Sequence, residues 1–465
     1  MHFFNLIKND FLHLSKKYQF SIILILTLAF LARFINYFHL GYVYDLISTQ
    51  YSWAKNATDN GFIVFWKDYS KDLDYLPGAI YLGMIIQYIN KLFGFFSAGG
   101  NEYGFVFVLK TFNTLNDFTF AYLLYYIAKK NTNLSNIRLF ITPVLSLILP
   151  SLWFISSVWG QFDTFPVNLC IITTLLLYRA QANKNTKYGS LAGIIFGLSL
   201  WFKLQSLLIL PPLILLFITF KNFQLIRQFI LYFSFTTFLI LVVPLFANAQ
   251  RTNFVLSQVI IRSNNVSNGA SSFWPLVNMR KYGTDLWFTI GNFDITASRV
   301  SYLVYLVFMV YLLVKLFPKI KNDISFNPKK IWTKIASLAE LTFLQFVTIM
   351  MISSNIYFFF FTKMMSRYLQ FGFLFALIFL TLQTNISRFK LFLGAILITE
   401  VGYFINQVGI YGYYNDNLIW AVAFERGAWA IDKVWLGSWF NLVGISLIYL
   451  LAIRFAKQTR KPTEL

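Results

Sequence analysis

Several ionisable side chains of this sequence lie within or beside strongly apolar runs, where charge is costly to keep: Asp45, Asp74, Asp117, Asp163, Glu340, Glu400, Lys203 and Arg367. On insertion scales an Asp, Lys or Arg at the centre of a spanning helix costs about 2.5–3.5 kcal/mol. Carboxylates so placed can take up a proton, orient hydroxyls or hold cations. An arginine can grip a phosphate as a planar fork and a lysine as a point charge. Each residue also has a plainer use. Asp45 suits a solvated loop, and Asp117 a hydrogen bond between helices. Lys203 and Arg367 can snorkel to headgroups, and Glu340 and Glu400 can serve as polar contacts between spans. The choice depends on which of them the elements bring together.

Those elements follow from composition. Hydrophobic residues make up 57% of the 465 and charged residues only 12%, against about 25% charged in soluble domains. Runs of ~20 mostly apolar residues, enough to span a bilayer, recur along the chain. The net charge of +21 comes from short Lys and Arg clusters between apolar runs, which fits the positive-inside pattern and not a nucleic-acid face. The single cysteine, Cys170, excludes an internal disulfide or cysteine metal cluster, and His2, His13 and His39 all lie near the N-terminus. The first apolar run, from Tyr18, is of spanning length and lacks a small-residue cleavage site, so a cleaved signal peptide is not expected.

The basic clusters set the expected orientation. Lys8, Lys16 and Lys17 precede the first span, at about Tyr18 to Tyr37. Later clusters fall at Lys129–Arg138, Arg179–Lys187, Lys221–Arg227, Lys319–Lys334, Arg388–Lys390 and Arg454–Lys461. Between neighbouring clusters there is room for an out-and-back hairpin, which gives about twelve spans with both termini cytoplasmic. The expected fold is an all-α polytopic membrane helix bundle forming one unit over 1–465. Its long outer loops are 38–104, 249–297 and 409–436. Pro77 to Phe96 is apolar enough to span, but counting it would put Lys129 and Lys130 outside. It therefore reads as an interfacial or re-entrant helix in the first outer loop. In this topology four carboxylates and two cations meet at the outer face.

The residues around those charges resemble a known family. "YDLISTQYSWAKNATDNG" followed by "DYLPGAIYL" is similar to the first outer loop of C-type membrane glycosyltransferases that use polyprenyl-phosphate sugars. The likeness is strongest to bacterial relatives of the dolichyl-phosphate-glucose-dependent glucosyltransferases of N-glycan assembly. The family's Asp after the first span corresponds to Asp45, its Trp-Ala step to Trp53 and Ala54, and its Tyr-Pro-Pro-Gly-like element to Tyr75–Gly78, with Leu76 for the first proline. "VWGQFDTF" (Val158 to Phe165) resembles a Trp-Gly-Gln-x-Asp turn. "FKLQ" resembles a Lys-Pro-Gln element with Leu204 for proline, and "NGASSFWPL" an Asn-Leu-Trp loop. "TKMMSRYL" resembles Thr-Lys-Met-His-Glu-Arg-Tyr, with Met365 and Ser366 for His and Glu.

The resemblance implies an inverting transfer of a hexose, glucosyl or mannosyl, from a polyprenyl-phosphate donor to an acceptor hydroxyl. The acceptor would belong to a glycolipid, glycan or protein outside the plasma membrane. It implies Asp45 as general base, and Lys203 and Arg367 on the donor phosphate. Asp74, Tyr75, Gln161, Asp163, Gln205, Trp274 and Tyr368 would lie on the sugar or acceptor side, or behind the first group. Asp45 with Asp163 could also hold Mg²⁺ or Mn²⁺, although no tight ligand spacing demands it. Two other readings use the same charges: a transporter or flippase of lipid-linked sugars, and a polysaccharide polymerase or ligase. The absence of an internal repeat and the gathering of polar residues at one face favour the enzyme.

Overall fold

Backbone amides and carbonyls cannot stay unpaired in hydrocarbon, so apolar runs of spanning length must become helices or a closed barrel. Here they become helices. The computed structural model describes residues 2–41, 43–68, 73, 75–94, 100–130, 134–261, 267–268, 270–277, 286–290, 293–316, 340–361, 364–414 and 428–456. The first part contains α1 (His2–Leu12), α2 (Lys16–Phe34), α3 (Ser52–Asn60), α4 (Phe62–Asp68), α5 (Pro77–Phe93) and α6 (Asn101–Lys130). Next come α7 (Arg138–Ile148), α8 (Pro150–Trp153), α9 (Thr164–Ala182), α10 (Thr186–Phe202), α11 (Leu210–Phe220) and α12 (Phe223–Ile261). The rest holds α13 (Phe273–Leu276), α14 (Ala297–Leu316), α15 (Phe343–Phe360), α16 (Gln370–Thr381), α17 (Ile386–Tyr414) and α18 (Ala428–Ala456).

The described strands are short. β1 (Ser267–Asn268) pairs in parallel with β4 (Met364–Met365), and β2 (Leu286–Ile290) pairs antiparallel with β3 (Phe293–Thr296). This is an all-α polytopic membrane bundle, as its composition requires. Among the described residues, α2, α12, α14, α15, α17 and α18 hold stretches long and apolar enough to cross a membrane. The bent pair Arg138–Ile148 and Pro150–Trp159, 52° apart, makes a seventh. The expected dozen also counted α6, α9, α10, α11 and α16, which are shorter or more polar. In α6 the polar residues Lys110, Asn113, Asn116 and Asp117 are buried against neighbours.

Position in the bundle follows burial. Phe20, Ile23, Leu28 and Phe30 of α2, and Phe235, Phe238 and Leu239 of α12, are exposed apolar side chains that suit a lipid-facing rim. In α16, by contrast, all 12 residues are buried. α16 and α15, which starts from a Thr342/Gln345 capping box, form the centre.

The two ends of the bundle differ. At one, Asp10 of α1 pairs with Lys129 at 2.7 Å and accepts from Tyr125 at 2.7 Å, close to the lysines that begin α2 and end α6. Toward the other, Lys110 donates to the carbonyls of Asn36 (2.8 Å) and His39 (2.7 Å), closing the C-terminal turn of the first span.

The expected first loop, 38–104, is largely helical. It holds a π-helix at Tyr44–Tyr51, then α3, α4 and α5. The helix expected over Pro77 to Phe96 is α5, ending at Phe93. It buries Ala79, Ile80, Leu82 and Ile86 and exposes Ile85, Tyr88, Ile89 and Leu92. Its Lys91 meets Asp59 of α3 at 2.5 Å.

The second expected loop, from residue 249, starts instead as helix, because α12 continues to Ile261 past a break at Asn248. Pro244 precedes that break and has no N–H for the carbonyl four residues back. That carbonyl, of Ile240, accepts from the Tyr81 hydroxyl of α5 at 3.4 Å. The third expected loop, 409–436, is helical to Tyr414 and again from Ala428, and residues 415–427 lie outside the described residues.

Candidate functional site

Two π-helical stretches meet where α5 begins. Such i→i+5 segments are rare and often stand at functional sites. The first, Tyr44–Tyr51, carries Asp45. The second, Phe154–Trp159, ends at Gly160, whose φ of +86° turns the chain sharply. A β-carbon there would sit 2.6 Å from Leu46 Cδ1, so a residue without a side chain lets the turn press against the residue after Asp45. The turn delivers Trp159 and Gln161 to the carboxylate.

Asp45 is buried, and three donors converge on its Oδ2: Arg367 Nη1 at 2.7 Å, Trp159 Nε1 at 3.1 Å and Gln161 Nε2 at 3.1 Å. The Tyr75 hydroxyl donates to Gln161 Oε1 at 3.3 Å, and Arg367 Nη2 approaches that hydroxyl at 3.5 Å. The guanidinium also stands over the Trp159 ring, 5.8 Å from its centroid.

Beside this group Asp163 and Lys203 form a buried ion pair, and Arg367 Nε lies 3.9 Å from Asp163. Lys203 caps the end of α10, with its ammonium 5.7 Å above the Phe162 ring. α5 is held against that same turn: a β-carbon on Gly78 would meet the Trp201 carbonyl oxygen at 2.6 Å. This close approach fixes the Tyr75 segment relative to Lys203.

A second buried network lies behind the first. Arg33 Nε donates to Asp117 Oδ2 at 3.0 Å, and the Ser156 and Thr164 hydroxyls donate to the same carboxylate at 2.6 and 3.0 Å. Gln370 Nε2 bonds Thr164 Oγ1 at 2.9 Å. Thr164 and Gln370 therefore tie the second network to the segments that carry Asp163 and Arg367. Asp117 takes the role of an interhelical hydrogen-bonding group. Glu400 does likewise, accepting from the backbone and side chain of Ser151. Glu340 departs from its expected place within a span. It is exposed ahead of α15 and accepts from Gln181 at 2.7 Å.

The fold thus gathers Asp45, Tyr75, Gln161, Asp163, Lys203 and Arg367 from five separated segments. Asp74 lies outside the described residues. Gln205 is half-buried and makes no bond to the cluster among the described residues. Trp274 is fully buried elsewhere and donates to the Phe360 carbonyl at 2.6 Å. Tyr368 is half-buried next to Arg367. The parallel β1–β4 pairing sets Asn268 beside Met365 and so joins two of the matched elements.

Trp159 and Arg33 are partners that the sequence reading did not single out. Trp159 lay within a quoted motif, whereas Arg33 looked like an ordinary end-of-span arginine. Among the described residues no group of three or more His, Cys, Asp and Glu is placed to hold a metal ion. Asp45 and Asp163 each face a cationic side chain, so this donor set does not fit a divalent ion and no step is routed through one.

The family model of the dolichyl-phosphate-mannose-protein mannosyltransferases, which are C-type membrane glycosyltransferases, matches residues 83–247, about a third of the chain. That stretch runs from within α5 into α12 and includes the Trp159–Asp163 turn and Lys203. Asp45 and Arg367 lie outside it. No curated protein matches the chain.

Proposed function

We propose that this chain transfers a hexose, with inversion at C1, from a polyprenyl-phosphate donor to an acceptor hydroxyl at the outer face of the plasma membrane. Both termini would be cytoplasmic. The reading rests on one observation: Asp45 and Arg367 are hydrogen-bonded to each other, beside the Asp163–Lys203 pair. Base and phosphate-binding cations then share one buried site.

In the step, Asp45 takes the proton of the acceptor hydroxyl while its oxygen attacks C1. The bond from C1 to the phosphate oxygen breaks on the opposite face. The phosphate leaves with the bonding electrons as polyprenyl phosphate, and Lys203 and Arg367 stabilise the charge it gains. Trp159 and Gln161 hold the carboxylate in place, and Tyr75 steadies Gln161. Because Arg367, Trp159 and Gln161 all donate to Oδ2, Oδ1 is the oxygen assigned to the acceptor.

The test is Asp45→Asn. It should leave expression and binding of the lipid donor intact and abolish sugar transfer from a panel of polyprenyl-phosphate sugars, measured as released polyprenyl phosphate. Full transfer by this variant would remove Asp45 from the role of base. Orientation has its own check. A cysteine at Thr289, exposed in the second expected outer loop, in a Cys170→Ser background, should react with an impermeant thiol reagent from outside, and labelling only from inside would reverse the topology.

A further inference from the structure

Glu400 of α17 places a carboxylate deep in the bundle, and among the described residues no cation pairs with it. Both of its oxygens turn to Ser151 instead. Oε1 accepts from the Ser151 backbone N–H at 2.7 Å, and Oε2 from the side-chain hydroxyl. An acid kept in a span is costly and invites a functional reading.

Ser151 stands at a break. The bent span turns by 52° between α7 and the half-helix Pro150–Trp159. Leu149 occupies the cap position of that half-helix with no side-chain bond, and Pro150 follows it without an N–H. The Ser151 amide is therefore the first donor of the half-helix, and the turn before it offers no acceptor. Glu400 supplies, from another helix, the oxygen that a Ser or Asp at the cap position would supply locally. Its charge also meets the positive end of the half-helix dipole.

The far end of the half-helix carries the site. The Gly160 and Gln161 amides both return to the Ile155 carbonyl at 2.9 Å. Trp159 and Gln161 are thus fixed to the half-helix and donate to Asp45 from its tip. At about 1.5 Å per residue, Pro150–Trp159 is at most ~15 Å long. A tilt of about 4° at Ser151 then displaces the tip by ~1 Å, which can cost about 100-fold in rate. α17 touches both ends, since beyond Glu400 its Phe404 and Val408 pack against the cluster of Phe154, Val158 and Trp159.

We propose that Glu400 is a positioning residue for sugar transfer: as the cap of Pro150–Trp159 it sets Trp159 and Gln161 on the Asp45 carboxylate. The proposal rests on the transfer reading above and adds the group that aligns its base.

The experiment uses the full chain in lipid nanodiscs, labelled with fluorotryptophan. The Trp159 fluorine resonance is assigned by its loss in Trp159→Phe. Glu400→Met keeps the length of the side chain and removes the acceptor. It should shift or broaden the Trp159 resonance while those of Trp66 and Trp201 stay in place. It should also lower kcat at least about tenfold, about 1.4 kcal/mol of barrier, with the donor KM nearly unchanged. Glu400→Gln, whose amide oxygen still accepts from the Ser151 N–H, should restore most of both. Should Glu400→Met fail to fold, Ser151→Ala removes the hydroxyl bond and should shift the same resonance. A melting temperature that falls while the Trp159 resonance and kcat per folded molecule stay unchanged would overturn the proposal.

The resonance is read without substrate, which separates the two readings. A shift in a chain whose wild type transfers no sugar keeps Glu400 as the cap that positions Trp159 and removes the transfer. Normal wild-type transfer with an unmoved resonance in the variants keeps the transfer and removes the role of Glu400.

Discussion

Arg367 and Asp45 lie 322 positions apart in the chain and are joined by a hydrogen bond of 2.7 Å. The pair connects the first part of the chain to the short turn before α16. Tyr403 of α17 supports the same turn by donating to the Arg367 carbonyl at 3.1 Å. This gives the C-terminal helices a role that no motif in them announced. They hold the arginine where the aspartate needs it.

A lysine at position 367 would keep the charge and lose the planar fork that reaches Asp45, Tyr75 and Asp163 together. Arg367→Lys is expected to lower transfer at least about 100-fold, some 2.7 kcal/mol of barrier, with little change in thermal stability. Arg367→Ala should also lower the melting temperature in detergent, because removing one partner of a buried pair costs roughly 3–5 kcal/mol. Wild-type turnover in the lysine variant would deny the fork any function.

The Arg33–Asp117 pair supports the site from behind, and both side chains are buried. Either single change, Arg33→Met or Asp117→Leu, leaves an uncompensated charge and should destabilise by roughly 3–5 kcal/mol. The double variant should lose much less than the sum, since both charges then leave together. A thermal-melting double-mutant cycle measures this, and strict additivity would mean that the two charges do not interact.

Gly160→Ala sets a side chain against both the positive φ and the Leu46 methyl 2.6 Å away. It should displace Trp159 and Gln161 from Asp45, so that activity falls far more than expression. Adding Leu46→Ala should relieve the clash but not the backbone strain, giving partial recovery measured as kcat. Complete recovery would assign the whole defect to packing.

Much of this site was readable from the sequence because charge in an apolar run is conspicuous. Asp45, Lys203 and Arg367 stood out in that way, and the short motifs around them supplied Tyr75, Gln161 and Asp163. What stayed hidden depends on long-range pairing. Arg33 resembles any arginine at the end of a span until Asp117, 84 positions later, is seen beside it. Gln50 is a polar residue in a loop until the fold buries it. Trp274 stands apart from the cluster, buried and bonded to the Phe360 carbonyl, a placement its matched loop alone did not disclose. The helical start of the stretch from residue 249 also depends on a distant partner, since Tyr81 takes up the carbonyl that Pro244 frees just before the break at Asn248.

Asp59 offers a pH test outside the spans. Hydrogen bonds from Lys55 and Lys91 hold its carboxyl below the usual range, against the effect of burial. A depressed pKa in the folded state stabilises above the unfolded value, about 3.9, and this contribution fades as pH falls through the folded pKa. Melting temperatures taken from pH 6 down to pH 3 should therefore fall more steeply for the wild type than for Asp59→Asn. The difference should be small, because the pair is partly exposed and screened. Parallel curves would show that the α3–α5 bridge adds nothing to stability.

The two acids and two bases at the centre, Asp45, Asp163, Lys203 and Arg367, sum to zero formal charge. Such a quartet projects little field beyond the Debye length of about 10 Å at 0.1 M salt. It therefore exerts little pull on anions dissolved in the surrounding water, whatever the surplus of lysine and arginine elsewhere. A phosphate anchored to a lipid reaches it by lateral diffusion within the bilayer, and the attraction acts only on contact. On the proposed function, encounter with such a donor would be governed by its density in the membrane and hardly at all by ionic strength.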